Sequence, residues 1–325
     1  MSLSHQILNT YTEVNEDEAT ELREGTPEKY TVAVKPPKNK SLPATLGQLV
    51  RGLTEIQSSF FGVKNASPTA AFEIRRDIPD SLRFQFTLPT KRLERKLRTH
   101  LATEIPDIGF GSGADGLPVK EGDTVGGGIL TLGRLDRYPL RTEFDTPPTN
   151  SVASALHRHA MQDTRVVIQV LFRPVAGKPL RRWYWKRRAY QRIGYLRKEK
   201  EKLWGNRPPT PRERKQADAV EEKAGTRRFH TSIRFFIAGA GKYTPSRVKE
   251  LAGGFNVYES GETGQYFDAV TITTLREKRL LNFSDTVAKR RFGYWNRSFQ
   301  ASRNELAGLI ALPDLTQENI NYSKP

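Results

Sequence analysis

His157 and His159, on either side of Arg158, have a spacing that could do chemistry. Two imidazoles one residue apart can share a divalent metal, and with Tyr184 or Tyr190 as nucleophile such a site would cut a phosphodiester strand. The competing reading is an exposed or capping role at the end of a helix. His5, His100 and His230 are scattered, and no spaced carboxylate pair offers acid and base work. Gly111, Gly113 and Gly116 fit GxGxxG, but Leu117, Pro118, Val119 and a Gly- and Asp-rich run follow, so a pyrophosphate would lack its helix N-terminus. Ile237 to Thr244, IAGAGKYT, invites a phosphate-loop reading and fails it. Phe236 stands where the first Gly is needed and Tyr243 follows Lys242, which leaves a turn after an edge strand. With no cysteine there are no thiolate nucleophiles, disulfides or cysteine metal sites. These residues predict a chain that is not itself an enzyme and carries no cofactor or metal.

Charge carries more information. Lys and Arg number 53 against 36 Asp and Glu, a net +17 that favours nucleic acid or an anionic lipid surface as partner. Residues 178–228 hold 18 basic and 6 acidic side chains, so 18 minus 6 places +12 of that total in one segment. Its first half reads as a helix with Trp185, Ala189, Ile193, Leu196 and Leu203 on one stripe and cations over much of the rest. Pro208, Pro209 and Pro211 then reverse the chain into a second helix ending near Gly225. The first arm, 180–204, would be roughly 37 Å long at 1.5 Å per residue. Arg181, Arg182, Lys186, Arg187, Arg188 and Arg192 are the expected phosphate contacts, with Trp183, Tyr184 and Tyr190 available for stacking. The alternative is a solvated helix whose aromatics pack on a sheet.

Two copies of one order, strand, helix, strand, strand, helix, strand, would support this hairpin. The first copy has a strand at 31–35, a helix at 42–57, alternating strands around Phe72 and Phe84, a helix at 91–104 with Leu93, Leu97 and Leu101 at i, i+4 and i+8, and a short strand near Phe110. The second has a strand from Gly128, a helix at 151–159, a strongly apolar strand at 165–172, its neighbour at 229–238, a helix at 244–252 and a strand at 266–274. The fold class expected is α+β: two ferredoxin-like (βαββαβ) modules in tandem, the second interrupted by the basic helical hairpin, with helices on one face of a sheet. The boundaries are an acidic mobile arm at 1–28, a first module at 29–114, a Gly-rich linker at 115–127, a second module at 128–275 with its insertion at 178–228, and a basic, aromatic segment at 276–325.

The arm carries seven acidic residues and one Arg and could mask the hairpin when nucleic acid is absent. In 276–303, 8 basic and 2 acidic residues accompany Phe283, Phe292, Tyr294, Trp295 and Phe299, a density that fits docking onto a core better than base stacking. No 18-residue apolar run or secretory signal is present, so a soluble cytoplasmic protein is expected.

Val166 to Pro174 (VVIQVLFRP), His230 to Gly239 (HTSIRFFIAG), Ser302 to Asp314 (SRNELAGLIALPD) and Asn319 to Pro325 (NINYSKP) together resemble the region upstream of the motor domain in archaeal conjugation and type IV secretion ATPases of the HerA-like kind. The resemblance covers about 164–325; the first half matches as a pattern of elements. It implies the non-catalytic N-terminal portion of a DNA-transfer ATPase, with the phosphate loop and Walker B acid beyond Pro325 or in a separate subunit. The implied partners are DNA, bound electrostatically without sequence preference, a motor domain or ATPase subunit, secretion-channel or membrane-associated proteins, and further copies in a ring. Through those partners the chain would sit at the inner face of the membrane. A stand-alone basic nucleic-acid-binding protein of a mobile element is the alternative. The histidine pair is similar to that of HUH-type relaxases and rolling-circle nicking enzymes, although their pair lies on a strand around a hydrophobic residue.

Overall fold

Alternation decides the centre of the molecule: Val166, Ile168, Val170 and Phe172 enter one buried cluster, while Val167 enters a second cluster on the opposite side. A strand buried on both faces must lie inside a sheet with both faces covered. The computed structural model describes residues 8–25, 29–59, 64–78, 81–157, 161, 164–202, 205–293 and 297–323. Their elements are β1 (Tyr11–Glu13), α1 (Glu16–Glu24), β2 (Tyr30–Lys35), α2 (Gly47–Leu53), β3 (Ser58–Ser59), β4 (Lys64–Asn65), β5 (Ala70–Ile78), β6 (Ser81–Leu88), α3 (Lys91–Glu104), β7 (Gly109–Ser112) and β8 (Thr124–Leu132). There follow α4 (Thr149–His157), β9 (Arg165–Pro174), α5 (Pro179–Arg197), β10 (Lys200–Lys202), β11 (Gly205–Arg207), α6 (Pro211–Gly225), β12 (Arg228–Ala238), α7 (Thr244–Gly253), β13 (Phe267–Thr271), α8 (Lys278–Ala288), β14 (Phe299–Ser302) and α9 (Arg303–Leu309).

The result is a mixed α/β protein built on one 10-stranded sheet in the order β1-β8-β12-β9-β5-β6-β2-β7, with β13 on β8 and β14 on β12. The pairings between these strands are antiparallel. The two parts of the sheet, four strands on the β5 side and six on the β9 side, meet where β5 pairs β9, from Ala70 opposite Phe172 to Arg76 opposite Val166. The expected separation into modules and linker therefore gives way to a shared sheet. Part of the Gly-rich linker is itself core: Leu117 and Val119 are buried, and β8 begins at Thr124. Glycine is needed there, since a Cβ on Gly127 would lie 2.0 Å from the Phe235 carbonyl oxygen of β12.

Helices cover both faces, not one. Leu49 and Val50 of α2, Leu97 of α3, Leu156 of α4, Leu251 of α7 and Leu306 of α9 share the larger core, whereas Leu22 of α1 and Phe283 and Val287 of α8 close the opposite face. Each fully buried Leu or Phe contributes about 1.5–3 kcal/mol, so both layers are substantial. The acidic segment is correspondingly not a mobile mask over residues 9–25. β1 pairs β8, α1 starts from a capping box between Asn15 and Glu18, and Glu21 meets Lys289 of the α8 end at 3.1 Å. The basic segment after β13 is also integral, through α8, β14 and α9; Tyr294 and Trp295 lie outside the described residues. Among the described residues, no helix is long and apolar enough to cross a membrane.

Candidate nucleic-acid interface

α5 leaves the end of β9 and α6 returns to the start of β12, strands that are register partners through Pro174 and Phe229. Small and branched side chains let the two helices approach: Ala189, Ile193 and Leu196 pack with Ala217, Val220 and Ala224, and Trp185 joins from the edge. α5 ends at Arg197, short of the expected 204; Leu203 and Trp204 lie outside the described residues. At 1.5 Å per residue its 19 residues span about 28 Å. The chain then turns through the β10–β11 ribbon, with Gly205 at φ 103°.

Glu213 ties this tip. Its carboxylate accepts from Lys200 and Arg207 and from the Thr210 backbone N–H, while Thr210 Oγ1 accepts from Glu213 N at 3.2 Å, completing the α6 capping box. These bonds hold the Glu213 carboxyl well below its ordinary range. Thr210→Ala should cost about 1 kcal/mol, seen in urea unfolding and as faster amide exchange at the start of α6. At the other end Lys223 Nζ donates to Glu305 Oε1 at 2.9 Å, both side chains being essentially inaccessible, and Leu140 N donates to the same carboxylate oxygen at 2.8 Å. A buried ion pair left with one partner is strongly unfavourable, so this contact fixes the hairpin to the body of the protein.

Charge is distributed unevenly along the hairpin. Arg197 is paired with Asp218 and Glu221, and Lys200 and Arg207 with Glu213. Arg181, Arg182, Lys186, Arg187 and Arg188 are exposed and, among the described residues, meet no carboxylate; the sequence has no acidic residue from 174 to 198. Arg187 lies over Trp183 at 5.1 Å and Arg188 over Tyr184 at 5.2 Å, one helical turn apart, which holds guanidinium groups flat against exposed rings. Lys186 stands 6.0 Å from the ring of Tyr190. Trp183, Tyr184 and Tyr190 are exposed at 58%, 54% and 46%, so they do not pack on the sheet. Arg192 differs: it is half-buried, donates to Tyr138 Oη and lies 4.8 Å from the Tyr195 ring. The remaining five cations and their aromatics are exposed around the first turns of α5.

The segment 290–292 reaches the hairpin root from a buried polar row. Gln85, Glu73, Gln169 and Arg234 are successive register partners across β6, β5, β9 and β12. Glu73 accepts from Gln85 and Gln169, each at 2.6 Å, from Arg75 at 3.2 Å, and from Arg290 Nε and Nη2 at 2.7 and 3.1 Å. Burial alone would raise its pKa, but the charges of Arg290 and Arg75 and the bonds from Arg290 and Gln169 hold it at about 2. Arg290 takes φ 50° and donates to the Ala114 carbonyl at 2.9 Å. The next carbonyl, Arg291 O, accepts from Arg234 at 2.8 Å, and Phe292 then sits under Arg173 with 4.8 Å between guanidinium carbon and ring centre. Lys29 donates to the Lys289 carbonyl beside this row, and burial with the charges of Arg290 and Arg291 lowers its pKa to about 8.

The imitations of catalytic motifs have structural uses. A Cβ on Gly113 would fall 2.4 Å from Thr31 Cγ2 and one on Gly116 1.8 Å from the Arg23 carbonyl oxygen, so these glycines permit close chain crossings. The turn after β12 spends its N–H groups internally, Gly239 on Thr124 O at 2.8 Å and Gly241 on Thr124 Oγ1 at 2.9 Å. That strand is central between β8 and β9, not an edge. His157 is exposed in the last turn of α4, and His159 lies outside the described residues. Among the described residues, no three His, Cys, Asp or Glu side chains gather to hold a metal.

The chain belongs to the family described as Domain of unknown function (DUF8128), whose match runs over residues 4–325. No curated protein matches the chain.

Proposed function

We propose that this member of the DUF8128 family is a non-catalytic DNA-handling and assembly module that binds nucleic acid along α5. The observation that carries the reading is the exposure of Arg181, Arg182, Lys186, Arg187 and Arg188 around the first turns of α5, without carboxylate partners among the described residues and interleaved with Trp183, Tyr184 and Tyr190. Such a surface contacts phosphates and stacks bases with little sequence preference. We read the sheet as two ferredoxin-like modules joined edge to edge. The strand orders β7-β2-β6-β5 and β13-β8-β12-β9, each with its two helical crossovers, support that reading.

By its resemblance to the pre-motor region of HerA-like transfer ATPases, the module would act in the cytoplasm with a motor subunit and channel proteins and assemble in a ring. A stand-alone nucleic-acid-binding protein of a mobile element would use the same α5 surface, and a purified motor subunit that co-elutes with the chain separates the two. Fluorescence anisotropy with labelled single- and double-stranded DNA across a salt series tests the core of the proposal; no binding at 50 mM salt or below would sink it. Trp183→Ala with Tyr190→Ala should weaken single-stranded binding about tenfold while leaving duplex binding nearly unchanged, since a paired base offers no open face to stack.

A further inference from the structure

We propose that Arg173, Arg228 and His230, with Lys178, Arg181 and Arg182 of the α5 root, form a built subsite for one phosphate group of the nucleic acid. This deepens, and rests on, the reading of α5 as a nucleic-acid surface. Arg173 and His230 face each other across β9 and β12, and Arg228 precedes His230 by two residues on the same sheet face. Two aromatic rings hold the guanidinium groups: Arg228 lies over Trp185 at 3.7 Å and Arg173 over Phe292 at 4.8 Å. Arg173 Nε and Arg228 Nε and Nη1 are nonetheless buried without a hydrogen-bond partner. Charged donors removed from water require an acceptor, and two forked guanidinium groups match the oxygens of phosphate.

The protein supplies too little negative charge to satisfy them. Asp136 is the carboxylate whose charge acts on both Arg228 and His230, and its oxygens already accept from Trp185 Nε1 at 2.8 Å and Gln300 N at 3.2 Å. Arg182 opposes the charge of Arg228, and Arg173, Lys178 and Arg181 oppose that of His230. Burial and these cations lower His230 to about 4, leaving a neutral imidazole at pH 7. A bound phosphate reverses the local field, so His230 reports occupancy directly. The buried row that places Arg290 and the Arg291 carbonyl also sets Phe292, and through it Arg173.

The full chain can be titrated with inorganic phosphate and with d(T)8 at constant ionic strength, following the His230 ring resonances assigned with His230→Gln. Both ligands should give saturable shifts and move the His230 midpoint upward, while chloride does neither. Arg173→Gln and Arg228→Gln should each weaken d(T)8 binding about tenfold, and Arg173→Lys should restore part of that loss. Replacing Lys186, Arg187 and Arg188 by Gln should weaken d(T)8 binding without changing the response to inorganic phosphate. An unmoved His230 with wild-type d(T)8 affinity in both arginine variants would overturn the subsite, leaving the α5 surface to stand on its own result. Saturation by inorganic phosphate with no d(T)8 binding would overturn the nucleic-acid reading and assign the cluster to free phosphate.

Discussion

Replacing Arg181, Arg182, Lys186, Arg187 and Arg188 together by Gln should remove most of the salt dependence of DNA binding. Each duplex phosphate neutralised contributes about −0.9 to the slope of log K against log salt, and about −0.7 for a single strand. Five lost contacts should therefore reduce the slope by about 4 and weaken binding on the order of a thousandfold near 0.1 M salt. Adding Arg192→Gln should change the slope little, because that guanidinium is committed to Tyr138 and Tyr195. These side chains are exposed, so the unfolding transition should stay close to wild type. Anisotropy titrations over a salt series measure the slope. A slope unaltered by the fivefold replacement would exclude α5 as the interface, whatever the affinity.

Glu73→Gln should be among the most damaging single substitutions in the protein. It leaves Arg290, about 2% exposed at the side chain, without its carboxylate, and the equally buried Arg75 with Asp77 alone. Breaking a buried pair in this way costs about 3–5 kcal/mol, a large part of the stability of an ordinary domain. The sign of the pH dependence follows from the depressed pKa. The stabilisation from Glu73 is fully present above the unfolded value of about 4.3 and is lost as pH falls through the folded value of about 2. Urea unfolding from pH 7 down to pH 2.5 should show wild-type stability declining below about pH 4.5, with this component absent in the variant. Equal stability of the two proteins at pH 7 would remove the polar row as a determinant of the fold.

Much of the strand and helix order was legible because the elements of the two halves carry clean periodicities. Lys91–Glu104 follows directly from leucines spaced four apart, and Arg165–Pro174 from an apolar run that a proline ends. The helix expected over 42–57 shrinks to Gly47–Leu53, since Leu46 offers no side-chain cap and the backbone is already extended at Thr54. The acidity of residues 9–25 suggests solvent and hides their structure. Their short strand and helix are held by the pairing with β8 and by packing on α8, neither of which leaves a local periodic mark. Alternating polar residues in β5, β6 and β12 look like a wetted face, yet Glu73, Gln85 and Arg234 are buried. Gln169, alone among apolar neighbours, was the available signal that a polar partner lay across the sheet. The α5 cations were legible from composition, but which of them lack a counter-charge was not. That depended on where α6 places Asp218 and Glu221, opposite Arg197 and away from the first turns.

The hairpin of α5 and α6 stands where two neighbouring antiparallel strands would otherwise be joined by a tight turn, since Pro174 and Phe229 are already opposite one another at its base. Topologically it is a cassette: its length and surface can diverge between relatives while the ladder beneath keeps its register. What restricts that freedom is Lys223, the cation the cassette inserts against Glu305. A graft that replaces the hairpin must bring its own ammonium group to that point or exchange Glu305 for Gln, which is neutral and still accepts from Leu140 N and Ser302 N, so one buried ion pair is the connector that any replacement has to fit.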